Sequence, residues 1–88
     1  MNFFPTTSHV VEPWFQTYSD IVSDPTTWRH MFGLATTERA EIAALLPAYE
    51  RSELGDVVSD IRNEMKYCDD LLDQMRTKAT ARGILLAA

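Results

Sequence analysis

Cysteine is nearly absent from this 88-residue chain: Cys68 is the only one, so no disulfide can form within it. The two histidines, His9 and His30, do not complete a zinc-site spacing with it. Glycine is scarce too, at three residues, and neither a phosphate-cradling loop nor a Gly-x-Ser-x-Gly elbow is present. Long hydrophobic runs are missing. The longest span four or five residues, against the roughly 20 that cross a bilayer. The first ten residues hold no basic patch and no apolar stretch of signal-peptide length. Positive charge is the minority sign, with eight Lys and Arg against thirteen Asp and Glu and a net charge of -5. That balance argues against a simple basic nucleic-acid binder, and the length leaves no room for a second domain.

What is present is the composition of a folded chain, 45% hydrophobic and 24% charged. A chain this short buries only about 60–65% of the surface its unfolded form exposes, so its core is thin. Without disulfides or metal, stability is expected from helix packing or from oligomerisation. The lone cysteine suits a reducing compartment. The expected location is the cytoplasm, or a particle assembled there.

Residues 1–11 read as an extended arm. Pro5 and the Thr6-Thr7-Ser8 cluster disfavour a helix, while Phe3 and Phe4 make the arm adhesive. A first helix is predicted from Pro13 to about Ser23, with Trp14, Phe15, Tyr18, Ile21 and Val22 in one stripe at helical period. Asp24 as N-cap and Pro25 at the first helical position start a second, short helix that carries Trp28, Met31 and Phe32 and ends at Gly33. Thr36 or Thr37 caps a third, with Ile42, Leu45 and Leu46 on its buried edge and Pro47 ending or kinking it.

The last helix has the strongest pattern. Leu54, Val58, Ile61, Met65, Cys68, Leu72 and Met75 are spaced 4, 3, 4, 3, 4, 3, a heptad alternation. From Pro47 to Ala81 it would measure about 50 Å at 1.5 Å per residue. Gly55 weakens its first turn, which moves the start toward Ser52 or Asp56. In a parallel dimer Glu64 would face Asp69 of its partner, and Val57 and Leu71 widen the stripe beyond a two-stranded seam. Both facts favour packing on the protein's own helices or on an antiparallel partner. The expected fold is all-α, one small helical bundle over 1–88. It has an extended N-terminal arm (1–11), three short helices (13–46), one long C-terminal amphipathic helix (48–82) and an apolar tail (83–88).

No constellation for catalysis emerges. Cys68 sits inside the apolar stripe, where a thiol behaves as a small hydrophobe, and no histidine is paired with it. The Glu38/Glu41 and Glu50/Glu53 pairs lack the Glu-x-x-His of di-iron bundles. No cofactor is expected, and no enzyme. A helix-turn-helix reading of Thr37–Asp60 fails because its recognition surface, Glu50 to Asp60, is acidic. The basic helix end, Arg76, Lys78 and Arg82, complements the helix dipole.

Two features point outward. Eight of the thirteen acids lie between Glu50 and Asp73, and Asp56, Asp60 and Glu64 recur every four residues. Such an acidic strip either keeps the helix soluble or docks on a basic surface. The aromatics crowd into the first half in greater number than three short helices can hide, and Trp14 and Trp28 are the ones expected to anchor an interface. With Phe3, Phe4, Leu85 and Leu86 at the apolar ends, these residues make the candidate partner-binding set. The expected function is a non-enzymatic assembly subunit or adaptor of a larger, phage-type complex. Its partners would be proteins, as a homo-oligomer or within a larger assembly, without direct nucleic acid or membrane contact. The alternative is a small acidic inhibitor or nucleic-acid mimic that blocks a basic site.

Overall fold

The computed structural model describes residues 10–86, which form three helices: α1 (Val11–Tyr18), α2 (Pro25–Arg51) and α3 (Gly55–Ala81). The all-α expectation holds, and the described residues contain no strand. The helix inventory differs from the one expected. One short helix and two of 27 residues replace three short and one long. The arm residues 1–9, with Phe3 and Phe4, lie outside the described residues, as do Ala87 and Ala88.

The difference arises at Gly33 and Pro47, both of which lie inside α2. Gly33 costs a helix interior about 1 kcal/mol relative to alanine, a penalty that tertiary packing overrides here. Trp28 before it and Ala35 after it are both fully buried, so the segment is pinned on either side. Proline lacks an N–H, so the Ala43 carbonyl has no i+4 donor. Ile42 and Leu45 precede Pro47 and Tyr49 follows it, all packed in one cluster with Ile61 and Cys68 of α3. That packing carries the helix through the break.

The start of α2 follows local chemistry. Asp24 accepts hydrogen bonds from the backbone N–H of Thr26 (3.4 Å) and Thr27 (3.2 Å) and from the Thr27 hydroxyl (2.8 Å). Pro25 occupies the first turn, where no N–H is needed. Those bonds, the Thr27 hydroxyl first, hold the Asp24 carboxyl below its ordinary pKa. Helix α3 ends in a Schellman motif, with the Gly83 N–H donating to the Thr80 carbonyl (3.1 Å) and the Ile84 N–H to the Ala79 carbonyl (2.8 Å). Gly83 adopts φ 74, the left-handed conformation that this motif requires. Helix α1 starts two residues earlier than expected and stops at Tyr18, because the following chain is drawn into a turn. The Trp28 indole Nε1 donates to the Val22 carbonyl at 2.7 Å and holds that turn against α2.

Helices α2 and α3 form an antiparallel hairpin about 40 Å long at 1.5 Å per residue, closed by Ser52, Glu53 and Leu54. At its terminal end, α1 and the tail complete a cluster around Trp28, whose ring meets Trp14 edge-on at 5.1 Å and Phe15 at 6.2 Å. Met75, Ala79 and Ile84 join the same cluster. At the turn end, a second cluster holds Ile42, Ile61 and Cys68 between the two long helices alone.

The two glycines make a paired prediction. A Cβ at Gly33 meets nothing within 4 Å, so Gly33→Ala should raise stability by about 0.5–1 kcal/mol through helix propensity. A Cβ at Gly83 also finds open space, but at φ 74 it is strained, so Gly83→Ala should lower stability by about 1 kcal/mol. Urea denaturation of the two variants checks both signs. A loss of stability in Gly33→Ala would contradict an unbroken α2.

Candidate functional site

A two-helix hairpin has two long seams, and here they are closed differently. On one seam the α3 residues Val58, Arg62, Met65, Asp69, Leu72 and Arg76 recur at spacings of 4, 3, 4, 3, 4. Arg39 of α2 makes a forked ion pair with Asp69 (2.9 and 3.3 Å), and Arg62 pairs with Glu50 (3.0 Å). The Arg76 guanidinium lies over the Phe32 ring at 5.2 Å. The hydrogen bond to Asp69 raises the Arg39 pKa further above its ordinary value. Each of these exposed pairs contributes little energy, yet together they cover the seam along its length. Near the terminal end the tail continues the cover: the Arg29 Nε donates to the Leu85 carbonyl at 2.7 Å.

The other seam is covered for only part of its length. Its α3 side carries Val57, Asp60, Glu64, Tyr67 and Leu71, again at spacings of 3, 4, 3, 4, and its α2 side carries Glu38, Leu45 and Tyr49. Helix α1 lies over the terminal part, where Glu12 and Gln16 line a shallow depression with Tyr67, Asp70, Leu71 and Gln74. Lys78 of α3 and Arg82, just past its end, clamp the chain that leaves α1. Lys78 bonds the Ser19 hydroxyl (2.8 Å) and Asp20 (2.5 Å), and Arg82 bonds the Ser19 carbonyl and the Ser23 hydroxyl (2.7 Å). Beyond Tyr67 no described element continues α1. Leu45, Tyr49 and Val57 are left half-buried, and Tyr67 is 36% exposed.

Glu64 stands on this open stretch. The residue is half-buried, but its Oε2 is shut off from solvent and has no hydrogen-bond partner among the described residues. Burial alone raises its pKa above the ordinary 4.5. Glu38 faces the same seam from α2 and also buries one carboxylate oxygen.

The expected site residues are thereby sorted. Asp56 and Asp60 are exposed and flank the open seam together with Glu64. Trp14 is half-buried, and Trp28 is fully buried at the heart of the terminal cluster, so its ring serves the core and offers no surface. Leu86 packs against that cluster while Leu85 is 66% exposed, and both sit far along the hairpin from the acidic strip. The basic helix end does more than complement a dipole: Lys78 and Arg82 hold the α1–α2 connection. Leu45, expected on a buried helix edge, Tyr49, one of the crowded aromatics, and Tyr67 instead border this open seam. The signal for Tyr67 is the second 3-4 stripe of α3, whose Val57 and Leu71 widen the main one.

The described residues include no group of three or more His, Cys, Asp or Glu side chains that could hold a metal ion. No helix among them is long and apolar enough to cross a membrane. Cys68 is fully buried in the turn-end cluster. Comparisons with protein-family models, with curated proteins and with solved structures each find no match.

The Glu64 environment has a pH consequence. Its folded-state pKa lies above the unfolded value, so the folded state takes up a proton first and gains stability as pH falls toward the carboxylate range. Asp20 and Asp24 act in the opposite sense and at lower pH. Lys78 lowers the pKa of Asp20 and the Thr27 hydroxyl that of Asp24, so their contribution is lost as pH falls below 3.8. The stability difference between wild type and Glu64→Gln should therefore shift in favour of wild type between about pH 7 and about pH 5. A difference independent of pH, measured by urea denaturation, would mean that Glu64 is solvated.

Proposed function

We propose that the protein is a non-enzymatic protein–protein interaction module, a small helical subunit or adaptor whose core is completed by another chain. A larger assembly, such as a phage-type particle, is the setting that suits it. The open half of one hairpin seam carries this reading. Leu45, Tyr49 and Val57 form an apolar floor there that no element among the described residues covers. Large half-buried side chains in a continuous stripe are what a partner buries at the centre of an interface. The exposed Leu54 and Leu85, at 50% and 66%, add apolar surface at the two ends of the hairpin.

A second reading, an acidic inhibitor or mimic that occupies a basic site, has its own support. The charged side chains that flank the open seam, Glu38, Glu41, Asp56, Asp60 and Glu64, are all acidic. The two readings share one surface and differ in what holds the complex together, apolar burial or charge. Apolar burial tolerates salt, whereas charge does not.

Photo-crosslinking in the cells that make the protein tests the proposal. A photoreactive residue at Leu45 or Tyr67 should yield a discrete adduct, and one at Lys66, on the back of α3, should not. Light scattering of the purified chain at low and high salt then separates self-association from a foreign partner. Absence of adducts from both seam positions, with a salt-independent monomer, would overturn the interaction reading.

A further inference from the structure

We infer that the open seam receives a basic amphipathic helix from a partner protein, seated end to end with α1. The inference rests on the interaction reading above and names the chemistry of the partner. Three observations carry it.

The groove already holds a helix. α1 lies on the same seam over Tyr67 and Leu71, so the spacing of α2 and α3 suits a third helix there. From Tyr67 to Val57 the stretch that no described element covers is ten residues of α3, about 15 Å, the length of roughly three helical turns. A partner helix with apolar residues at i, i+3, i+4 and i+7 would match the floor of Leu45, Tyr49 and Val57.

The charge on the two seams is segregated. Arg39, Arg62 and Arg76 all face the sealed seam, and Lys78, at the terminal end, is occupied with Ser19 and Asp20. No Lys or Arg faces the open stretch, whose rims are Glu38 and Glu41 on one side and Asp56 and Asp60 on the other. Lysine or arginine on both flanks of the incoming helix complements these rims. A second copy of this chain would instead set acid against acid, on a protein whose net charge is -5.

Glu64 supplies the third observation. A carboxylate oxygen that is closed to water and lacks a donor is costly. No described residue of this chain donates to it, and a lysine or arginine seated over Glu64 would stabilise the carboxylate through its charge.

The probe is a synthetic amphipathic peptide with leucine on one face and lysine and arginine on its flanks, titrated into the full ¹⁵N-labelled chain at two salt concentrations. Controls are a permuted peptide of the same composition without an apolar face, and a version with glutamate in place of each lysine and arginine. Amide shifts are expected at Tyr49, Val57, Glu64 and Tyr67, with binding by the first peptide alone. Asp60→Lys and Asp73→Lys change net charge equally, so they separate local from global charge. Asp60→Lys should weaken binding about tenfold and Asp73→Lys no more than about twofold. Equal binding by the permuted peptide, equal loss in the two variants, or shifts confined to the Arg39–Asp69 seam would overturn the inference. Contacts from Phe3 or Phe4 to Tyr49 or Val57 in the free chain would assign the seam to the chain's own N-terminal segment. Concentration-dependent seam shifts with a doubled mass would assign it to a second copy. If crosslinks from Leu45 form in cells but no basic peptide binds, the interaction reading stands and the stated partner chemistry falls.

Discussion

Eight residues of α1 cannot cover a hairpin whose arms are each 27 residues long. At 1.5 Å per residue α1 reaches about 12 Å along a seam of about 40 Å. The stretch of seam that no described element covers follows from that mismatch. Where α1 sits, Trp28, Met75 and Ala79 are enclosed on all sides. Where it ends, the described part of the hairpin is two helices thick, and residues on one flank are half-buried.

The hairpin holds its shape because the polar side chains are divided by role. One group ties elements together at the terminal end. Lys78 and Arg82 reach across to Ser19, Asp20 and Ser23, and Arg29 reaches the Leu85 carbonyl. A second group, the Arg39–Asp69 and Arg62–Glu50 pairs, covers one seam. These contacts use most of the arginine in the chain, and the acidic excess is left on the other seam. The asymmetry is a property of placement, since the overall composition shows only a modest negative balance.

Much of the local structure was legible beforehand. Asp24 and Pro25 start α2 and Gly83 stops α3 as their chemistry dictates, because caps depend on residues that are neighbours in sequence. The heptad stripe pointed to α3, but the helix runs Gly55–Ala81 rather than 48–82, because residues 48–51 continue α2 past Pro47 and Leu54 lies before its first residue, Gly55. Gly33 and Pro47 misled for the same reason in both places. Their local penalties are real, and long-range burial of Trp28, Ala35 and Ile42 against other elements exceeds them. Of the expected interface residues, Asp56, Asp60 and Glu64 do share a surface. Trp28 went inside because α1 and the tail close around it, an event no helical period reveals.

The sequence alone determined the helical class, the caps, the acidic strip and the apolar stripe that pairs α3 with α2, because each is written in residue types at spacings of four or fewer. Tertiary structure alone decided that α2 runs unbroken, that Arg39, Arg62 and Arg76 gather on one seam, and that no described element covers the opposite seam beside Glu64. Those outcomes depend on which faces of two helices meet and on how far a third reaches, relations between residues tens of positions apart.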